Sequence, residues 1–197
     1  MNVSRETTEL EAAYLDLVRR WSPRINLVSR TDLPRLEERH LRDSRAVVDV
    51  APVSADCWVD LGSGGGFPGI VAAIHRRSEG TSVHLVESDV RKAMFLRTVA
   101  RELDLNVVVH SDRIEQAEVP VPDVLSARAL APLPKLLSLA HLHCGPRTVM
   151  VFPKGVTWRA ERDAALPSWR FSLQTHPSPT QPDAAILVLT DVEPLSS

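Results

Sequence analysis

Between residues 60 and 69 the chain reads Asp60-Leu61-Gly62-Ser63-Gly64-Gly65-Gly66-Phe67-Pro68-Gly69, and five of its eight glycines fall in the last eight of these positions. Glycine permits φ above zero and a close backbone approach, so such a cluster directly after a strand can turn amide groups toward a ligand. An ordinary strand-to-helix turn needs only about one or two glycines. Two nucleotide-type ligands fit. Gly62-x-Gly64-x-Gly66 with Asp60 at the strand end suits S-adenosylmethionine, whose amino acid end Asp60 would hold through bound water with help from loop amides. Gly64-x-Gly66-x-x-Gly69 also matches the dinucleotide fingerprint, but its first glycine lies well beyond the strand, and the chain has no separate catalytic domain.

Further polar residues stand where strand ends are expected. Glu87 follows Gly62 by 25 residues, the place for an acid that accepts hydrogen bonds from both ribose hydroxyls. Arg113-Ile114-Glu115 follows the third expected strand, with Ile114 as an adenine wall and Glu115 beside it. Arg128, in Ser126-Ala127-Arg128-Ala129, ends the fourth, on the rim where open α/β sheets bind ligands. Lys154-Gly155 ends the fifth and adds a second cation, suited to a phosphate or nucleobase near a methyl donor. His141-x-His143 lacks a third ligand, so no metal is expected, and Cys57 and Cys144 read as plain buried thiols. Neither a Gly-x-Ser-x-Gly elbow nor the Asp/Asn-Pro-Pro-aromatic motif of amino-group methylation is present.

The elements that must hold these residues follow from periodicity. Strands are expected at Cys57–Leu61, Ser82–Glu87, Asn106–His110, Asp123–Ala127, Thr148–Phe152, Trp169–His176 and Ala185–Thr190. Helices are expected near 67–77, 89–103, with Val90, Ala93, Met94, Val99, Ala100 and Leu103 inward, and 132–143. Strand-helix alternation implies right-handed crossovers and a parallel sheet. The Pro-rich link 177–183 is too short for a crossover, so the last two strands form an antiparallel edge hairpin. Upstream, an apolar stripe over 8–21 predicts a helix that opens on a Thr8–Glu11 capping box and stops at Pro23; a second helical stretch runs from Leu33 to Val50. The organisation is therefore a helical cap (1–50) and a nucleotide-binding core (51–197), packed as one globular unit.

Composition narrows the class. A chain of 197 residues with 44% hydrophobic and 24% charged side chains suits one soluble domain with a modest appendage. No apolar run approaches the ~18–20 residues of a membrane helix, and the polar start, residues 1–9, resembles no signal peptide, so a cytoplasmic protein without membrane contact is expected. The net charge of −2 excludes a polycation, and any nucleic-acid contact must be local. Nine arginines, Arg39 and Arg42 among them, lie in the first 50 residues beside nine acids.

Asn26-Leu27, Arg39-His40-x-x-Asp43-Ser44, the glycine segment with its Phe-Pro-Gly ending, Glu87 with Lys92-x-x-Phe95-Leu96-Arg97, Arg113-x-Glu115, Ser126-Ala127-Arg128-Ala129 and Lys154-Gly155 together resemble one family. It is the bacterial small-subunit rRNA guanine-N7 methyltransferases, also called glucose-inhibited division protein B, and the likeness runs through nearly the whole chain. The resemblance implies a class I S-adenosylmethionine-dependent methyltransferase fold, Rossmann-like with seven strands, and methylation of guanine 527 in the 530 loop of 16S rRNA. It also implies cofactor contacts at Gly62, Phe67, Ile114, Glu115 and Arg128, and as partner 16S rRNA, the small ribosomal subunit or its assembly intermediate; the protein itself is expected to be a monomer. Many relatives carry a basic residue before the final strand where this chain has Asp183-Ala184-Ala185, so no C-terminal phosphate contact carries over. Guanine N7 has a free lone pair and needs no general base; Arg128 and Lys154 are expected to act by charge and position, with Arg39, Arg42 and Lys154 toward RNA. A small-molecule methyltransferase and a non-catalytic dinucleotide-binding module are the alternatives.

Overall fold

The computed structural model describes residues 4–195; the first three residues of the polar N-terminal segment and the last two of the chain lie outside it. Seven strands form one sheet: β1 (Cys57–Leu61), β2 (Ser82–Val86), β3 (Val107–His110), β4 (Val124–Ala127), β5 (Val149–Lys154), β6 (Trp169–Pro177) and β7 (Ala185–Pro194), in the order β3-β2-β1-β4-β5-β7-β6. The first five are parallel, and β7 runs antiparallel between β5 and β6. The expected edge hairpin is present, with β7 longer than its apolar run. Strand order reverses between β1 and β4, whose ends meet at Leu61 and Ala127. A crevice opens at the carboxyl ends of strands at such a reversal.

Both faces of the sheet are covered, which explains why its central strands are nearly continuous apolar runs. One core joins Trp58, Val83 and Leu85 to α1 (Arg5–Ile25), α2 (Arg42–Val50), α3 (Gly69–His75) and α4 (Val90–Glu102) through Tyr14, Val47, Ile70 and Phe95. The other joins Val59, Leu61 and Leu125 to α5 (Leu133–Ala140) and α6 (Trp158–Ala165). Along α4 the buried stripe is Ala93, Phe95, Leu96 and Val99, whereas Val90 and Met94, expected inward, are 61% and 54% exposed. The helix is rotated so that its one aromatic residue, Phe95, is buried, with its ring 5.7 Å from that of Trp21 on α1.

The cap departs from expectation in instructive ways. Helix α1 begins earlier, with Ser4 Oγ accepting from Thr7 N–H at 3.1 Å, so no Thr8–Glu11 box forms. Glu11 is buried instead, accepting from Arg45 Nε at 2.7 Å and pairing with His75 Nε2 at 2.8 Å, which ties α1 to α2 and α3. Pro23 sits inside the last turn, where only the exposed Arg19 carbonyl loses its donor, and the helix ends at Asn26, φ 49°. The stretch from Leu33 is three joined pieces: a 3-10 turn (Leu33–Arg35), a π turn (Glu37–Leu41) and α2. The π turn carries Arg39 and His40, and Ser44 Oγ donates to the His40 carbonyl at 2.8 Å. Such turns are rare and concentrate at functional sites.

Candidate active site at the strand reversal

Two cavities lie along the carboxyl ends of the strands. The first, about 340 Å³, is lined by Gly62, Gly64, Glu87, Ile114 and Glu115, with Val86, Ser88, Lys92, Asp112, Arg113, Leu130 and Leu139. Its floor is the turn after β1. Gly62 has φ +67°, and a Cβ there would stand 2.8 Å from Leu130 Cδ1. Gly64 has φ +55°, and the nearest atom to a Cβ would be the Gly62 carbonyl oxygen at 3.8 Å, so this stretch of backbone faces open space. Glu87 sits just past β2 and accepts from Gly64 N–H through Oε2 and from Asp89 N–H through Oε1, both at 2.8 Å. Each carboxylate oxygen has a second lone pair for a ligand hydroxyl. The 3-10 turn Ile114–Gln116 is pinned from below by His143 Nε2, which donates to the Ile114 carbonyl at 2.8 Å.

A second cavity of about 500 Å³ lies under the cap, lined among others by Asp32, Arg39, His40, Asp43, Arg128 and Lys154. The two cavities share Leu130 as a wall. Arg128 leaves the end of β4 just before Ala129, whose φ of 52° is a strained conformation for a non-glycine residue. Its guanidinium lies 5.5 Å from the Phe67 ring centroid and donates through Nη2 to His40 Nδ1. Burial lowers the Arg128 pKa from the ordinary arginine value, opposed by Asp43, Tyr14, Asp60 and Asp32. Burial and then the Arg128 charge bring His40 down to about 4, so its imidazole is neutral at pH 7. The link between β6 and β7 closes the far side, where Thr180 Oγ1 donates to Asp43 Oδ1 at 2.6 Å.

The expected site residues are thus divided. Gly62, Gly64, Glu87, Ile114 and Glu115 meet in the first cavity; Arg39, Arg128 and Lys154 meet in the second; Asp60, Gly66, Phe67 and Arg42 line neither. Asp60 is 1% exposed, accepts from Ser126 Oγ at 2.6 Å, and lies beneath the start of α3 rather than facing a ligand. Burial raises its pKa to about 6. At Gly66, φ +94°, a Cβ would meet Ile70 Cγ1 at 2.6 Å and Tyr14 Oη at 2.9 Å, so this glycine serves packing of the loop against α3 and α1. Phe67 packs between Tyr14 and His40, at 5.0 Å and 5.2 Å between ring centroids. Lys154 is not a free cation: its Nζ lies 2.6 Å from Glu161 Oε2 and donates to the Ala131 carbonyl at 2.8 Å. Burial alone would raise Glu161, but hydrogen bonds from Lys154, Thr157 and Leu133 hold its carboxyl below the ordinary value. These contacts fasten the turn after β4 to α6.

The chain can now be set beside known proteins. Residues 7–180 match the family described as rRNA small subunit methyltransferase G. The chain belongs to this family of methyltransferases. It is 46% identical to the ribosomal RNA small subunit methyltransferase G of Ruegeria sp. (strain TM1040), with 98% of this chain and 95% of that protein covered. The protein of the same name from Paracoccus denitrificans (strain Pd 1222) is 47% identical, covering 96% of this chain and 97% of its own. The fold is that of class I methyltransferases: an O-methyltransferase from Bacillus cereus, solved in complex with SAH, superposes with a TM-score of 0.59 at 17% identity, over 95% of this chain and 91% of that one.

Beyond the expected residues, the second cavity holds Asp32 and Glu161, which had no signal of their own, while His40 and Asp43 stood out only within Arg39-His40-x-x-Asp43-Ser44. Among the described residues no group of three His, Cys, Asp or Glu could hold a metal ion, and no helix is long and apolar enough to cross a membrane.

Proposed function

We propose that the protein methylates N7 of guanine 527 in the 530 loop of 16S rRNA, with S-adenosylmethionine as donor. Family membership supports the reaction class, and one structural observation carries the arrangement: two cavities of different chemistry abut at Leu130, with Arg128 in the second. The first fits an adenosine. Glu87 offers a carboxylate to the ribose diol, Ile114 an apolar wall to the ring with Glu115 beside it, and the backbone at Gly64 an approach free of side chains. When bound, the cofactor supplies an electrophilic methyl group on a sulfonium.

The acceptor base then occupies the second cavity. Guanine N7 attacks with its own lone pair, so the site needs no proton acceptor. In agreement, the His40 Nδ1 lone pair is already taken by Arg128. What the chain contributes is position: the Arg128 guanidinium, with donors left over, holds guanine O6 or a neighbouring phosphate so that the N7 lone pair stands in line with the methyl group. Lys154 shapes the pocket through Glu161 and Ala131 and is not assigned to a phosphate. Exposed Arg39, at the rim, and Arg42, outside it, are assigned to the RNA backbone. A-form duplexes hide N7 in a narrow major groove, which favours an unpaired loop nucleotide as target. The partner is 16S rRNA, as part of the small subunit or an assembly intermediate, and the work is cytoplasmic.

Mapping of 7-methylguanosine in 16S rRNA from cells with and without the gene tests this. The modification at position 527 is expected to vanish without the gene and return with it. Its persistence, or loss at another position, overturns the assignment; a small-molecule methyltransferase would leave rRNA unchanged.

A further inference from the structure

A buried guanidinium that must act on a ligand needs something to fix its direction. Arg128 has three kinds of neighbour able to do so. Phe67 stacks beneath it and restrains its plane without choosing which N–H groups face the cavity. The carboxylates Asp32, Asp43 and Asp60 and the phenol of Tyr14 supply field, but none of them hydrogen-bonds to it. Among the described residues His40 Nδ1 alone accepts a hydrogen bond from it.

The imidazole is itself strongly constrained. Its side chain is 12% exposed, its ring packs on Phe67, and its carbonyl is held by Ser44 within the π turn. Its Nε2 is buried without a hydrogen-bond partner among the described residues, with Asp32 Oδ2 the facing carboxylate at 3.7 Å. Arginine can only donate, so Nδ1 must be the acceptor and the remaining proton must sit on Nε2, toward Asp32. A protonated ring would turn an N–H toward the guanidinium and place two cations in contact.

We propose that His40 is the positioning residue of Arg128: as the neutral Nε2–H tautomer it takes one guanidinium N–H and so aims the others at the methyl acceptor. This deepens the role given to Arg128 under Proposed function and rests on it. The charged groups that face His40 are Arg128 from the end of β4 and Asp32 and Arg39 from the cap; Phe67 adds only its ring. Arg128 disfavours the protonated ring and Asp32 favours it, and burial decides for the neutral form. The π turn has a purpose in this arrangement, because it sets His40 toward the cavity while its neighbour Arg39 remains exposed at the rim.

Three measurements on the full chain test the idea. Nitrogen-15 NMR of histidine-labelled protein should show His40 as the Nε2–H tautomer at pH 7, and its pKa should rise in Arg128→Ala. Single-turnover methylation of 16S rRNA substrate should fall at least about tenfold in His40→Ala but by less than about twofold when the same change is made in Arg128→Ala. Asn places a carbonyl oxygen near the position of Nδ1, so His40→Asn should retain the rate within about threefold of wild type. The Nδ1–H tautomer, equal losses in the two backgrounds, or a folded His40→Asn as slow as His40→Ala would each overturn the proposal while leaving the role of Arg128 standing. Full activity of Arg128→Ala alone would overturn both. If His40→Ala does not fold, the asparagine variant and the tautomer still decide.

Discussion

The two cavities share Leu130 and little else. The one at the glycine turn is set by backbone geometry at its floor: Gly62 and Gly64 at positive φ, and a carboxylate, Glu87, held by two amides. The one under the cap is made of side chains brought from six places, namely the cap, the turn after β4, the end of β5, α6, the β6–β7 link and the start of β7. Backbone geometry admits few alternatives, which suits a small ligand of fixed shape. A side-chain lining can be reset by moving one group, and it leaves an opening edged by Arg39 through which a polymer can enter. The two should therefore fail differently: the first through conformation and the second through charge and aim.

The largest effect is expected at the turn. Gly64→Val forces a β-branched side chain to φ +55° and puts its methyl groups into the open space beside the backbone. Calorimetry should show the dissociation constant for S-adenosylmethionine raised by more than about 100-fold, with cooperative unfolding retained. An unchanged affinity in a folded variant would remove the turn from the cofactor site, and tighter binding of a nicotinamide dinucleotide would reassign it.

Next is Arg128, where binding of the cofactor should be nearly untouched and the chemical step should suffer. Arg128→Ala is expected to slow single turnover by roughly 100-fold at saturating cofactor and RNA. Arg128→Lys should recover only part, because a point ammonium cannot meet His40 and a ligand in the same plane. Wild-type turnover in the alanine variant would make Arg128 a packing residue; a rate that demands a deprotonated group near neutral pH would contradict base-free attack.

This difference between cavities also explains which residues are legible in the sequence. Gly62, Gly64, Glu87, Ile114 and Glu115 are all recognisable because turn conformation and strand ends are local properties. Asp32, Glu161 and Thr180 are not: an acid or hydroxyl that matters because Arg39, Lys154 or Asp43 lies across a cavity leaves no trace in its own neighbourhood. Helix α6 escapes for a related reason, since only Trp158 and Ala165 of its eight residues are buried, too few for a visible stripe. Lys154 is legible as a cation at a strand end but not as a paired one. Its partner stands seven residues later, on that same hidden helix.

A smaller effect separates docking from chemistry. The overall charge gives no general attraction to RNA, so binding should depend on individual arginines of the cap. For every phosphate that Arg39→Ala or Arg42→Ala leaves unneutralised, the magnitude of the log-log salt slope should fall by about 0.7–0.9, with the rate at saturating RNA preserved. Affinity and slope both unchanged in the double variant would move the docking surface away from the cap.

The smallest effect tests where the glycine turn ends as a ligand site and begins as a scaffold. The sequence places Asp60 within reach of the ligand through water, but in the fold it lies under α3 with its carboxyl on Ser126. Its pKa is about 6 in the fold against an ordinary 3.8, so the native state holds a proton that the unfolded chain has released. Its contribution to stability is thus complete below about pH 4, declines as pH rises toward 6, and is constant above that. Asp60→Asn abolishes this titration. The melting temperature of the variant relative to wild type should therefore climb between pH 4 and 6, by roughly 2–4 °C for each kcal/mol, and then level off. At pH 8 its affinity for S-adenosylmethionine should stay within about twofold of wild type, because a group that lines neither cavity does not touch the ligand. A tenfold loss, about 1.4 kcal/mol, in a folded variant would restore the water-mediated grip and extend the first cavity inward to β1.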